Sequence, residues 1–426
     1  MPPPAAHAEA TILVDAESGK VLEAENATYP WYPASVTKLM TAYVTLSAIK
    51  AGKITPDTLF TVSHTAAAQS PTKMGFPPGT QVTVDNALKM LMVHSANDMA
   101  VLLAEGVDGS IENFADDMTR TAHRLGMTQS NFVNPNGLPA DGQIVSARDM
   151  AILARALIHD FPEHGPYWHI AAIKFGRRII HNTNSLVGRY PGLDGMKTGF
   201  ICASGFNVVA TATRGGRRLI AVVLGAPSSS ARAVKAAELL ESGFTQNPLA
   251  WLTPALGSVD NLTPVNADPP NLHDSVCGPH KKRAPAEEEE EAGGENGSGV
   301  GGVDTPFSAI LSSLRAPVPK GAALLSDFNS EPPVVVYTGP TRTPGEVAKL
   351  NAIEPGPAHK KKGAAKTAAT KPADDKAAAD EKTPDGKATE HKSAPASKTT
   401  AVVEKPDKPK KPQKAEPAAK PAAAPQ

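Results

Sequence analysis

Two cysteines, few aromatic residues and no long apolar run set the first limits on this 426-residue chain. No stretch approaches the roughly 20 apolar residues that a membrane-crossing helix needs. The N-terminus lacks the charged start and apolar core of an intact signal peptide. Ala6-His7-Ala8 before Glu9 nevertheless has the small-x-small form of a cleavage site. Residues 1–8 therefore read either as a leader remnant or as a flexible start. Cys202 and Cys277 show no metal-ligand spacing, and no motif in the chain calls for a metal or another cofactor. In an oxidising compartment the two cysteines can form one disulfide that pins the later segment to the strand near residue 200; otherwise they stay separate thiols. Net charge is also missing, with 43 Lys and Arg against 43 Asp and Glu, so the overall balance names no partner.

What is present changes texture along the chain. Up to about residue 250 the apolar residues recur with strand and helix periods. Residues 11–15 and 20–23 flank a Gly-containing turn and predict a hairpin. Val36, Leu39, Met40, Tyr43 and Val44 predict a helix from Ser35 with one buried face, stopped at Gly52. Residues 61–84 read as loop, with a short strand possible at 80–84. Asp85 is expected to cap a helix through Met92, and a second run covers 98–105. Ser110 is expected to cap a third helix with Ile111, Phe114, Met118 and Leu125 on one face, and Ser146-Ala147-Arg148-Asp149 resembles a capping box for a fourth. Ile179-Ile180 reads as strand. Residues 206–213 and 218–224 around Arg214-Gly215-Gly216-Arg217 give the strongest hairpin signal, and 229–242 reads as a closing helix. Strands at both ends of a helical middle predict an α+β fold, one antiparallel sheet packed on helices, for a domain at 9–250.

Beyond 250 this patterning fades. Residues 251–350 read as linker or minor module, with an acidic run at 287–291, a glycine-rich stretch at 293–302 and apolar islands at 308–314 and 333–337. From 351 onward Ala, Lys and Pro dominate, no aromatic follows Tyr337, and nothing is available to bury. That predicts disorder for 351–426, either as a solvated linker or as a basic tether to an anionic cell wall or membrane surface. The tail has neither Arg nor a stacking aromatic, which argues against nucleic acid as a partner.

Three short motifs carry chemistry. In Ser35-Val36-Thr37-Lys38 a hydroxyl and an amine lie one helical turn apart, so a neutral amine can take the proton of a serine that attacks a carbonyl. Ser70-Pro71-Thr72-Lys73 has the same pattern, but Met74-Gly75-Phe76-Pro77-Pro78-Gly79 cannot continue a helix, so it reads as loop. Ser95-Ala96-Asn97 falls between helical runs, and Lys197-Thr198-Gly199 heads a strand-like segment. Each motif alone is weak. Their order, with Asn134-Pro135-Asn136-Gly137-Leu138 and Pro191-Gly192-Leu193-Asp194-Gly195-Met196 as context, resembles penicillin-binding proteins and serine β-lactamases.

The resemblance is most specific to the low-molecular-mass D-alanyl-D-alanine carboxypeptidases of the penicillin-binding protein 5 type, and runs from about Glu9 to Phe244. It implies a transpeptidase-like sheet with helical layers and a site at the sheet–helix boundary. It implies Ser35 as nucleophile, Lys38 as a base held uncharged by burial and by the charge of Lys197, and Ser95 as proton relay. By the same resemblance Asn97 holds a substrate amide, and Lys197 and Thr198 take a terminal carboxylate. Gly199 lets substrate lie against the strand, and the backbone N–H groups of Ser35 and Phe200 form an oxyanion hole. The implied partners are a peptidoglycan stem peptide and β-lactams as covalent inhibitors. The implied location is periplasmic or otherwise outside the cytoplasm after export, which favours the leader reading. Ala96 stands where class A β-lactamases carry Asp, and no counterpart of their deacylating glutamate loop is found, so lactam hydrolysis is disfavoured. His94 reads as packing or surface. A DD-endopeptidase and a non-catalytic wall-binding scaffold stay open as alternatives. Neither the C-terminal β-rich domain nor the terminal amphipathic helix common in the family is evident, which leaves membrane attachment open.

Overall fold

The computed structural model describes residues 9–245, 256–278, 321–326 and 331–354. The readings for the leader remnant, the acidic and glycine-rich runs, the island at 308–314 and the tail from 355 lie outside these residues. The N-terminal hairpin is β1 (Ala10–Asp15) with β2 (Val21–Glu25). Then follow α1 (Lys38–Lys50), β3 (Leu59–Thr61), α2 (His64–Ala67), β4 (Gln81–Thr83), α3 (Val84–Val93), α4 (Asn97–Asp108), α5 (Ile111–Arg124) and α6 (Ala147–Asp160). The extended half contains β5 (Ala172–Phe175), β6 (Arg178–His181), β7 (Leu193–Ile201), β8 (Gly205–Arg214) and β9 (Arg217–Ala226), closed by α7 (Ser229–Thr245).

Five strands form one antiparallel sheet in the order β2-β1-β9-β8-β7. The two ends of the domain meet where Ile12 of β1 pairs with Val222 of β9. Arg214 faces Arg217 across the two-residue Gly215-Gly216 turn, the tight hairpin expected from sequence. Leu219 to Ala226 of β9 are all buried. Successive strand residues point to opposite faces, so this continuous burial means that both faces of the sheet are covered. Helices α6 and α7 pack on it, and α1, α3, α4 and α5 form the helical layer beside it. The α+β arrangement is the one anticipated.

Several local expectations are corrected. Helix α1 begins at Lys38, and Ser35 belongs to a preceding 3₁₀ turn, Ala34–Thr37. That helix is buried nearly all round rather than on one stripe, because it runs between helical neighbours; Leu39, Met40, Thr41, Ala42 and Thr45 are all fully covered. Each of the large apolar side chains there stabilises the fold by roughly 1.5–3 kcal/mol. Thr83, not Asp85, caps α3: its side chain accepts from the Asn86 N–H, and Asp85 pairs with Lys89 one turn on. Ser110 caps α5 as expected. At α6 only half of the capping box forms. Ser146 Oγ accepts from Asp149 N–H, while the Asp149 carboxylate turns to Gln129 N–H, Ser130 Oγ and Arg148. Burial pushes that carboxyl above its ordinary range against these donors.

Described residues beyond position 250 pack against the domain at 9–245. Val21 N–H donates to Gly257 O, and buried Arg148 donates to the carbonyls of Val259 and Asp260. Leu272 N–H donates to Ala203 O, and Cys277, at the end of α8 (His273–Cys277), is bonded to Cys202 with Cα atoms 5.6 Å apart. The island at 333–337 contributes a two-residue strand, Val334–Val335, parallel to β5, with Val336 buried behind it. No helix among the described residues is long and apolar enough to cross a membrane.

Candidate active site

The Ser35 turn is pressed against the edge of β7. An ideal Cβ placed on Gly199 would lie 2.7 Å from Ser35 N and 2.9 Å from Val36 N. The missing side chain of Gly199 thus answers to the close approach of the Ser35 backbone, a reason different from the substrate clearance expected from sequence. Asn207, opposite Gly199 on β8, holds the same turn. Its Nδ2 donates to Tyr32 O and Pro33 O, both at 3.0 Å, and its Oδ1 accepts from Gly225 N–H. Ala34 has φ +48, a left-handed conformation that costs a non-glycine residue about 1–3 kcal/mol and persists only where the surroundings over-determine it.

Lys38 is fully buried below Ser35. Its Nζ lies 2.9 Å from Ser35 Oγ and donates to Asn97 Oδ1 and Asn136 O, both at 2.7 Å. Three segments distant in sequence therefore converge on one amine. Ser95 stands in the short link between α3 and α4, with φ +58. Its Oγ is buried and has no hydrogen-bond partner, an orphan hydroxyl of the kind that marks a site awaiting a ligand. Asn97 is engaged from both ends of its side chain, by Lys38 and through Nδ2 to Ser70 O. One amide N–H remains for a ligand.

The second lysine motif lies in β7. Lys197 is almost fully buried and donates to Thr198 O at 3.1 Å and toward Thr183 Oγ1 at 3.5 Å. Thr198 Oγ1 donates to the same Thr183 hydroxyl at 2.9 Å. Phe200 stacks on Phe206 with ring centroids 4.1 Å apart, and the buried Arg232 guanidinium lies over the Phe206 ring. All eight residues expected at the site, Ser35, Lys38, Ser95, Asn97, Lys197, Thr198, Gly199 and Phe200, thus belong to this cluster or to the strand edge that borders it. His94 is buried, in line with a packing role. Among the described residues no group of His, Cys, Asp or Glu could hold a metal ion.

Sequence reasoning missed four contributors. Thr183 carried no signal, because a threonine after a short strand is ordinary. Asn207 did carry one, a lone amide within the apolar run of β8. Asn136 was quoted only as part of a turn, yet its carbonyl holds Lys38. Asp98 is fully buried and accepts from the N–H groups of Met74 and Gly75, so it fastens the 69–79 loop over Asn97. The look-alike Ser70-Pro71-Thr72-Lys73 is loop, as expected, and serves as part of that cover: Thr72 Oγ1 donates to Ser95 O, and Asn97 N–H to Thr72 O.

Comparison with known proteins agrees with this arrangement. The chain is 41% identical over 248 residues to D-alanyl-D-alanine carboxypeptidase DacC of Escherichia coli, a match covering 57% of this chain and 62% of that protein. The chain therefore spans less than two thirds of this curated relative. The crystal structure of penicillin-binding protein 5 from Haemophilus influenzae superposes with a TM-score of 0.54 at 37% identity, over 57% of this chain and 72% of that one. Penicillin-binding protein D2 from Listeria monocytogenes, solved in a cefotaxime-bound form, superposes with a TM-score of 0.51 at 29% identity, over 57% of this chain and all of that one. Residues 1–228, more than half of the chain, match the peptidase S11 family model of D-alanyl-D-alanine carboxypeptidases, and the chain belongs to that family.

Proposed function

We propose that this protein is a serine-type D-alanyl-D-alanine carboxypeptidase that trims the terminal D-alanine from peptidoglycan pentapeptides outside the cytoplasm, and that penicillins acylate the same serine. The observation that carries the reading is convergence at one hydroxyl. Lys38 Nζ is 2.9 Å from Ser35 Oγ, and Gly199, two residues after Lys197, abuts the Ser35 backbone. In the reaction Ser35 Oγ attacks the carbonyl carbon of the penultimate D-alanine while Lys38, as a neutral amine, takes its proton. The backbone N–H groups of Ser35 and Phe200 hold the oxyanion. The C–N bond then breaks, and the orphan hydroxyl of Ser95 relays the proton to the leaving amine. Water cleaves the ester in the second half. Lys197 and Thr198 hold the terminal carboxylate, and Asn97 offers its remaining amide hydrogen to the substrate backbone. In the same reading the lysine-containing segment from 351 tethers the enzyme to an anionic wall or membrane surface.

The test uses a defined muropeptide and a fluorescent penicillin. Release of free D-alanine and covalent labelling are both expected, and both fall by roughly 10⁴ or more in Ser35→Ala. Cleavage of cross-linked dimers without D-alanine release from monomeric pentapeptide would replace the reading by an endopeptidase. An unlabelled parent protein would leave a non-catalytic wall-binding role.

A further inference from the structure

Residues 331–354 lie outside the family match, which ends at residue 228, and the reaction assigns them no role. They run along the domain as a strap fastened at several points. The two-residue strand β10 (Val334–Val335) pairs in parallel with β5, which β6 flanks on its other side. Tyr337 N–H donates to Asn86 Oδ1 on α3 at 3.1 Å, and Gly339 N–H to Gln81 O on β4 at 2.7 Å. The Thr341 hydroxyl donates to the Asp57 carboxylate. Helix α9 (Pro344–Asn351) follows, with a capping box between Thr343 and Glu346, and buries none of its residues. Asn351 O at its end accepts from Nζ of the buried Lys174 at 2.6 Å. The strap is thus held by strand pairing and polar clasps, not by an apolar helix face.

It reaches the site through one peptide unit. Buried Val336 sits where β5 meets α3, and its N–H donates to Lys174 O at 2.9 Å. That carbonyl carbon is bonded to the nitrogen of Phe175, so the hydrogen bond fixes the peptide plane that leads into Phe175. The Phe175 ring meets that of Phe76 with centroids 5.2 Å apart and planes inclined at 60°. Phe76 is buried and belongs to the 69–79 loop. From there the loop continues to the catalytic groups. Met74 and Gly75 bond Asp98, Thr72 Oγ1 donates to Ser95 O, and Ser70 O accepts from Asn97 Nδ2. Asn97 Oδ1 in turn accepts from Lys38 Nζ. Hydrogen bonds and one ring contact therefore join residue 336 to Ser95 and to the amine beside Ser35.

We infer that residues 331–354 are a positioning strap for the active site. By bracing β5 behind Phe175 they hold the 69–79 loop, and through it Ser95 and Asn97, in the arrangement in which Ser35 is acylated. The inference rests on the acyl-serine reading above. Without the strap β5 becomes an edge strand with an unpaired side. Phe175 can then back away from Phe76, and the loop keeps only its polar anchors. A shift of less than 1 Å at Ser95 or Asn97 lowers the rate before it unfolds the domain.

The experiment follows acylation of the full chain by a fluorescent penicillin, as a second-order rate and as label bound per chain at saturation. Saturation counts folded sites, and the rate reports how well each is arranged. Val336→Asp puts a carboxylate into the buried junction. It is expected to slow acylation about tenfold, less than the roughly 10²-fold of a full 1 Å misplacement because the polar anchors remain, with labelling still near stoichiometric. Val336→Ala leaves the strand pairing in place and is expected to slow it about threefold. Phe175→Ala breaks the path at the ring contact and is expected to slow it about tenfold; combined with Val336→Asp the loss stays at about tenfold instead of the roughly 100-fold of independent effects. Should Val336→Asp leave no labelled sites, Val336→Ala and Phe175→Ala decide by the same rate. Parent-like rates at the labelled sites of the Val336 variants overturn the inference, because a merely structural segment would change the number of sites and not their rate. Effects of Val336→Asp and Phe175→Ala that multiply overturn it as well. A parent protein that takes no label sinks the acyl-serine reading and the inference with it.

Discussion

Replacing Gly199 with alanine tests the geometry on which the site depends. The added Cβ meets Ser35 N at 2.7 Å, Val36 N at 2.9 Å and Pro33 O at 3.1 Å, whereas ordinary contact begins at 3.4 Å. All three atoms are backbone, so no side chain can swing aside, and strand or turn must give by about 0.7 Å at the closest contact. The turn cannot move freely, because Asn207 ties Tyr32 and Pro33 to β8. Movement instead separates Ser35 N from Phe200 N and shifts Oγ relative to Lys38. A misplacement approaching 1 Å at a reacting group costs on the order of 10²-fold in rate. The second-order rate of penicillin acylation is therefore expected to drop about 100-fold in Gly199→Ala. Gly165→Ala is the matched control, since nothing lies within 4 Å of its added Cβ. Acylation of Gly199→Ala within twofold of the parent, with unchanged thermal stability, would refute the argument.

Three further outcomes follow from the contacts described. Asn207→Leu leaves two carbonyls and the Gly225 N–H without their buried partner; a loss of about 3 kcal/mol in urea unfolding is expected, together with slower acylation. The Cys202–Cys277 bridge closes a loop with a sequence separation of 75, for which chain entropy sets a ceiling of about 4.5 kcal/mol; Cys202→Ser with Cys277→Ser should lower the urea midpoint to that of the reduced parent. Burial, followed by the hydrogen bond to and charge of Asp160, pushes the Tyr43 hydroxyl up to about 12. Between pH 10 and 12 the unfolded chain loses this proton while the folded one keeps it, so its contribution to stability is full below pH 10 and declines as pH rises. Tyr43→Phe should flatten the stability slope measured over that window.

Legibility divided along a physical line. Local chemistry read well: the Gly215-Gly216 hairpin, the Ser110 cap and the Ser35–Lys38 spacing each depend on residues a few positions apart. Errors arose where a local signal met a tertiary competitor. Asp149 had the sequence of a capping-box acid, but Gln129, Ser130 and Arg148 offered its carboxylate better donors. Apolar spacing in α1 predicted one buried stripe, but spacing alone cannot register that Thr41 and Thr45 are covered as well, through bonds to Pro135 O and Thr41 O.

The sequence by itself determined the motif residues, the antiparallel sheet made from both ends of the domain, and the chemistry open to a serine beside an amine, because these follow from residue type and short spacing. Tertiary structure alone decided that Asn136 and Asn97 share Lys38, that Thr183 serves both Lys197 and Thr198, and that Cys202 reaches Cys277. It also decided that an ordinary loop at 69–79 covers the site. Such contacts join residues tens to hundreds of positions apart, and only packing the chain into one core fixes which of them meet.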